Sequence, residues 1–360
     1  MKKFRFFAAL LLGIVMAAVG AAGGFVGYYY LDRNRFTSEI YTNGAMQVHF
    51  LELGNKYTGD CTYIKAGDTD ILIDAGSRTD SISTIDTYLK NFVTDGKLEY
   101  VIVTHAHQDH YAGFATNENT ESLFDMYSVG VIIDFALTNQ KEDGAMYGNY
   151  CREREEAVAN GAEHYTAREC IEQDKDVFEL SGGVTMTVLD QRYYYEKASS
   201  ENDYSVCTLF TYGDQNILLT GDLEEKGEES LIEKNDLPQV TLYKAGHHGS
   251  KTSSSPELMA VIQPEVVCVC CCAGSPEYTD VAENQFPTQE FINNVAPYTD
   301  KVYVTTLCVD YSNGDFTSMN GNITVAFAGK SFTVQCSESD LKLKESEWFA
   351  ESRETPDPWK

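Results

Sequence analysis

From residue 40 to residue 330, short apolar runs of β type alternate with amphipathic stretches of helical period. Runs of β type read at Met46–Leu53, Cys61–Ala66, Asp70–Asp74, Tyr100–Val103, Gly130–Asp134, Val184–Asp190, Ser205–Tyr212, Asn216–Thr220, Val240–Lys244, Val266–Cys272 and Lys301–Thr305. Helical period reads at Ser81–Val93, Asp143–Asn160, Glu224–Glu233, Ser255–Val261 and Thr288–Val295. A closing hairpin is predicted where "GNITVAFAGKSFTVQC" turns at Gly329 and Lys330, and the polar stretch from residue 337 to 360 is predicted to be a loose tail. Strands arrive first as a meander and then alternate with helices, twice over. That order predicts two stacked sheets covered by helices.

The first 35 residues follow another pattern. Lys2, Lys3 and Arg5 precede an uncharged run of 26 residues from Phe6 to Leu31, closed by Asp32, Arg33, Asn34 and Arg35. As a helix such a run crosses a hydrocarbon layer of about 30 Å. The flanking cations place the N-terminus in the cytoplasm and the remainder outside. Residues 1–35 are thus expected to be a signal anchor, a single transmembrane helix tethering an extracellular domain over 36–336. The alternative is a signal peptide cleaved before Ala21, releasing a secreted protein; the run exceeds the usual apolar core of about 7–15 residues in such peptides. Gly20 and Gly24, and Gly23 and Gly27, have the spacing of a helix-dimerisation face.

Charge narrows the choice of partners. The chain carries −28, of which residues 1–35 contribute five basic and one acidic side chain, leaving −32 on the rest. Broad electrostatic capture of nucleic acid relies on basic patches, so an acidic domain favours small or wall-bound substrates. Ten cysteines in an exported chain suggest disulfides, but "VVCVCCCAG" places Cys268, Cys270 and Cys272 on one face of a strand and Cys271 on the other. Neighbours in one strand cannot bridge without distortion, and cysteine as a small buried hydrophobe accounts for the run.

Chemistry concentrates in "THAHQDHYAG", Thr104 to Gly113, which holds three of the seven histidines. The preceding "EYVIV" is a buried strand, so the cluster lies on a loop at a strand's carboxyl end, where ligands gather in layered α/β folds. His105 and His107, two apart, can project to one side, while Asp109 and His110 can serve a second centre. Imidazoles with carboxylate suit Zn²⁺ or Mn²⁺. Two later strands end in further donors: "NILLTGDLEE" at Asp222, a carboxylate able to bridge two ions, and "YKAGHHGSKTSSS" at His247 and His248, one of which can complete the second centre. Ser250, Lys251, Thr252 and Ser253 follow, hydroxyls and an ammonium able to hold an anion.

In the order "LIDAG", "THAHQDH", "LTGD" and "HHGSKTSS", the chain resembles the metallo-β-lactamase superfamily over roughly residues 44–328. The last two segments are similar to the extracellular nuclease domain of ComEC-type competence proteins. The resemblance implies an α/β fold, a four-layer αββα sandwich here preceded by the membrane helix, with a dinuclear site at one edge. It also implies that Asp74 orients the histidine loop. Superfamily hydrolases usually carry a third histidine before the strand leading to the bridging aspartate; "SENDYSVCTLF" offers Asn202 and Asp203 instead, and ComEC-like chains also have Asn there. Where ComEC-like relatives tend toward Asn-x-Tyr-Gly-His-Pro, "ENQFPTQE" retains Asn284 and Pro287 and lacks the histidine.

The expected function is metal-dependent hydrolysis of phosphodiesters, in nucleic acid or a cell-wall polymer of teichoic phosphocholine type, by water that two divalent ions make nucleophilic near neutral pH. Asp109, Lys251 and Asn202 are the candidate catalytic residues. The candidate ligands are His105, His107, Asp109, His110, Asp222, His247 and His248. Two alternatives stand beside this reading: hydrolysis of a carboxylic ester, lactone or thioester, or a binding module of the same fold that turns nothing over.

Overall fold

The structure is a computed structural model that describes residues 46–116 and 120–360; the expected membrane helix lies outside the described residues. Six strands come first: β1 Met46–Phe50, β2 Asp60–Ala66, β3 Thr69–Gly76, β4 Lys97–Ile102, β5 Ser128–Asp134 and β6 Glu163–Thr166. Eight more follow: β7 Val177–Glu179, β8 Val184–Leu189, β9 Cys207–Tyr212, β10 Gln215–Leu219, β11 Leu242–Lys244, β12 Val266–Ala273, β13 Val302–Asp310 and β14 Asp315–Ser318. A terminal hairpin, β15 Ile323–Ala328 and β16 Ser331–Cys336, closes the set. Two eight-stranded sheets result, ordered β16-β15-β1-β2-β3-β4-β5-β6 and β14-β13-β12-β11-β10-β9-β8-β7. The hairpin therefore returns to the sheet of the first strands.

Each sheet is mixed. From β16 to β3 neighbours run antiparallel, and β3, β4, β5 and β6 are parallel. In the other sheet β10, β11, β12 and β13 are parallel between antiparallel flanks. Parallel strands need crossover connections, and helices supply most of them: α1 Ser81–Leu89 and α2 Ala145–Ala159 on the first sheet, α3 Glu225–Lys234, α4 Pro256–Ile262 and α5 Gln289–Val295 on the second. In α1, Ile82, Ile85 and Leu89 recur at helical spacing and are buried. The predicted helix ran on to Val93, but the Asn91 amide donates to the Thr87 and Tyr88 carbonyls and stops it a turn earlier.

Three short strands escaped the sequence pattern. β6, β7 and β14 lie at sheet edges and none of their residues is fully buried, so no apolar period marks them. In β12, Val267, Val269, Cys271 and Ala273 join a core with Leu258, Met259 and Phe291 of the helices, while Cys268, Cys270 and Cys272 take the other face, as the alternation predicted. All ten cysteines are free thiols.

The segment after Ser337 corrects the expectation of a loose tail. Leu343, Phe349 and Trp359 are buried in the core beneath the second sheet's helices. Arg353 donates to the carbonyls of Pro287 (2.9 Å) and Gln285 (2.7 Å), and Trp359 Nε1 to that of Thr299 (2.8 Å). Polar composition concealed three widely spaced apolar anchors, each large enough to hold a turn of chain.

Candidate metal centre

The carboxyl ends of β3, β4, β10 and β11 converge on one edge of the two sheets, and within three residues of each end stands a polar residue the sequence singled out. Asp74, with φ 58°, turns its carboxylate under the histidine loop. Oδ1 accepts from the Thr104 amide (2.8 Å), Oδ2 from the Thr104 hydroxyl (2.8 Å), and His110 Nδ1 lies 2.7 Å from Oδ2. Asp74 thus holds the loop and fixes the His110 ring. On the loop His105 Nε2 lies 3.0 Å from His107 Nδ1, and a single helical turn begins after His107, lifting Asp109 and His110 onto one side.

Asp222 is where the two halves meet. Its Oδ2 lies 3.1 Å from His110 Nε2 and 3.2 Å from His248 Nε2, and His248 Nε2 is also 3.4 Å from Asp109 Oδ2. The turn that delivers it needs Gly221, whose φ is +56°; a Cβ there would stand 2.8 Å from Ser205 Oγ and 2.9 Å from Thr104 Cβ. Ser205 Oγ accepts from the Asp222 amide (3.0 Å). Gly221→Ala is therefore expected to shift Asp222 and to destabilise the fold by more than ~1 kcal/mol, read as a lower thermal midpoint accompanied by weaker metal retention.

Between His247 and His248 the structure discriminates. His248 is buried and reaches Asp109 and Asp222. The His247 ring turns away, with Nδ1 3.0 Å from Thr252 Oγ1 and Nε2 3.4 Å from Asn202 Nδ2. Asn202 also donates to Glu224 Oε1 (3.1 Å), and its own Oδ1 is buried without a partner. Lys251 is exposed. Its ammonium donates to Asn284 Oδ1 (2.9 Å), and with Thr252, Asp203 and Glu224 it lines an open cavity of ≈ 440 Å³. No contact joins it to the histidines.

Electrostatics of the cluster favour cations. Burial opposes ionisation of Asp222 and Asp109, yet the imidazoles of His110 and His248 hold both carboxyls well below the usual carboxylate range. Reciprocally, burial disfavours the imidazolium forms of His110 and His248, but the surrounding carboxylates, Asp222 foremost, push both pKa values well up. His105, by contrast, is held neutral by burial and by its neighbour His110. Donor atoms of His105, His110 and Asp222 lie within 4.8 Å of one another, as do those of Asp109, His110 and His248. His248 Nε2 and Asp222 Oδ1 make no well-directed hydrogen bond. Buried nitrogen and carboxylate donors that crowd together without satisfying one another fit a divalent-metal site.

Residues 54–116, a span holding Asp74 and the whole histidine loop, match the family model described as the metallo-beta-lactamase superfamily. Over that segment the chain matches this superfamily. It is also similar to Recombination protein 2 of Haemophilus influenzae, 24% identical over 84% of this chain and 31% of that protein. ComE operon protein 3 of Bacillus subtilis is 25% identical over 48% of this chain and 20% of its own length. The chain thus spans less than a third of the curated relatives it matches, and these similarities agree with the resemblance to ComEC-type proteins. Among solved structures, the metallo-beta-lactamase fold protein YhfI from Bacillus subtilis aligns with 76% of this chain and 99% of its own at 12% identity, with a TM-score of 0.41.

Around this site, Tyr278, Asp60, Lys244 and Phe286 escaped the sequence reading. Tyr278 donates to Asp109 Oδ2 (2.7 Å) from a loop pinned by Glu277, which pairs with Arg78 (2.8 Å) and accepts from the Thr58 amide (2.8 Å). Asp60, at the start of β2, and Lys244, at the end of β11, form a buried ion pair beneath the cluster. Lys244 carried a signal that was available: a lysine closing an apolar strand three residues before a histidine pair. Phe286, which stands where the relatives' pattern has histidine, packs 5.7 Å from the His247 ring and 5.9 Å from the His248 ring.

Proposed function

We propose that this domain is a divalent-metal hydrolase of phosphodiesters. The observation that carries the reading is the sharing of Asp222 Oδ2 between His110 and His248, which makes one carboxylate common to two groups of donors. His105, His107 and Asp222 would hold one ion, and Asp109, His110, Asp222 and His248 a second. Bound there, Zn²⁺ or Mn²⁺ would supply water that is nucleophilic near neutral pH and would offset charge on the oxygen that develops it.

The chain's own groups do the remaining work. Asp74 fixes the His110 ring, Tyr278 steadies Asp109, and the phenyl ring of Phe286 screens His248 from water on one side. Thr252 and Lys251, with Lys226, offer a hydroxyl and two ammonium groups on a cavity wall that also carries Asp203, Glu224, Glu225 and Glu290, so an anionic ester would have to be held on the lysine side. The names of the relatives, a recombination protein and a competence-operon protein, fit a nucleic-acid phosphodiester; the charge of −32 over residues 36–360 fits a small or wall-bound one. Metal analysis of the purified chain with a panel of chromogenic phosphodiesters and thioesters tests the reading. Turnover of thioesters alone would move the assignment to carboxylic esters. Metal binding without turnover of either would make this a binding module, a reading that Asn202 in the place of a third histidine favours.

Lys251→Ala is expected to raise KM for a charged phosphodiester while leaving metal content unchanged. Equal kcat/KM values for mutant and wild type on charged and neutral substrates alike would return Lys251 to the role of a surface lysine tied to Asn284.

We also propose that the domain is tethered outside the cell by the run from Phe6 to Leu31. Among the described residues no helix is long and apolar enough to cross a membrane, so the tether rests on that run. Fractionation of cells making the full chain is expected to find it in the membrane; a mature protein in the medium beginning near Ala21 would replace the tether with a cleaved signal.

A further inference from the structure

We propose that Asp60 and Lys244 form a positioning pair that presets the geometry of the metal centre from beneath, joining the two sheets so that His248 and Asp222 are oriented before any ion arrives. The inference rests on the metal-site reading above, and extends it to two residues outside the ligand set proposed there.

Asp60 opens β2 in the first sheet and Lys244 closes β11 in the second, and their side chains are 3% and 2% exposed. Such a pair spans the sheet interface with no water to screen it. From Asp60 the pair reaches His248: Nδ1 lies 3.1 Å from Asp60 Oδ1 and 2.9 Å from the Cys270 carbonyl. Both neighbours are acceptors, so Nδ1 keeps its hydrogen, and the proton given up when an ion binds leaves from Nε2, the nitrogen that faces Asp109 and Asp222. From Lys244 the pair reaches the turn after β10. The ammonium donates to the Gly221 carbonyl (3.1 Å) and stands 3.6 Å from Asp222 Oδ1, on the oxygen opposite the histidines. The Cys270 carbonyl takes the Nδ1 hydrogen, the Asp60 charge stands beside that nitrogen without a well-directed hydrogen bond of its own, and Lys244 governs the approach of Asp222.

A lysine suits this place for a second reason. Asp60, Asp74, Asp109 and Asp222 are all buried within one cluster. Lys244 is a fixed positive charge in contact with two of them. It offsets repulsion that would otherwise splay the carboxylates while the site is empty of cations.

The test is metal retention by the full chain, read without substrate. Zn²⁺ affinity is measured by competition with a chromogenic chelator, and release rate under excess chelator, for wild type, Asp60→Asn, Lys244→Met and the double variant, each checked for folding by circular dichroism. Outer partners of metal ligands typically matter by ~10–100-fold in affinity, and a weakening of that size with faster release is expected in each folded variant. Lys244→Met removes the nearest counter-charge of buried Asp60, so if it fails to fold the neutral double variant decides. Unchanged Zn²⁺ affinity in folded Asp60→Asn and in the double variant, even with lower thermal midpoints, would reduce the pair to a structural clamp and overturn the proposal. Wild type that binds no Zn²⁺ would overturn it as well. Wild type that holds Zn²⁺ tightly and cleaves no phosphodiester would defeat only the hydrolase reading.

Discussion

Asp222→Asn is expected to cut kcat by well over the ~100-fold typical of losing an outer partner of a metal site, with metal content falling in step and the fold retained. The reason is its placement. Asp222 Oδ2 lies within 3.2 Å of both His110 Nε2 and His248 Nε2, so one side chain serves both groups of donors. An amide keeps nearly the same shape but loses the charge, and replaces one acceptor oxygen with an NH₂ that points donors at imidazoles and cations alike. The core is untouched, because the carboxylate packs against polar groups at the sheet edge rather than against the apolar layers. Metal analysis, thermal midpoint and turnover on one sample check the expectation. Wild-type turnover with full metal content would remove Asp222 from the site.

Removing metal is expected to have the second-largest effect, and its dependence on pH follows from the charges that remain. A cation that binds only the folded chain stabilises it by ~4 kcal/mol at a free concentration a thousandfold above Kd; chelation forfeits that and exposes the bare cluster. In the metal-free chain, His110 and His248 have pKa values raised well above 6.5, so the stability they contribute is complete below that value and is lost as pH rises through their folded values. Asp109 and Asp222 lie well below 3.8, so theirs is present above that value and is lost as pH falls. The chelated chain should therefore show a thermal midpoint that peaks between two limbs. With metal restored the alkaline limb flattens, since ligating imidazoles are already neutral, and binding near neutral pH releases protons measurable in weak buffer. Binding with no proton release would mean that His110 and His248 are not displaced from their carboxylates by the ion.

What was legible in the sequence followed from repetition. Buried strands announce themselves by unbroken apolar runs, and the functional residues stand at the carboxyl ends of such runs, so the histidine loop, Asp222 and the histidine pair could be placed on strand ends without a structure. Illegible residues were single polar side chains whose partners lie far off in sequence. Asp60 in "TGDCTYI" reads as the rim of a turn, and becomes a buried anion only because β2 and β11 face each other across the two sheets. The choice between His247 and His248 was likewise undecidable, since both follow the same strand; φ values of 45° and 56° at the two residues send their rings in different directions. Tyr278 depends on a loop whose course is set by Glu277 and by the docked C-terminal segment. None of these leaves a periodic trace.

The order of strands also governs when the domain can become whole. Met46 of β1 pairs with Phe327 of β15, so β1 takes its second neighbour from a strand 281 residues further along the chain. Until residues 323–327 emerge, β1 has an open edge beside β2, a row of unpaired amides and carbonyls able to recruit another chain. Folding must therefore wait on a long-range closure, which is slow when most contacts are non-local. That closure waits on the hairpin, and any truncation before it should yield an aggregating sheet rather than a smaller folded domain.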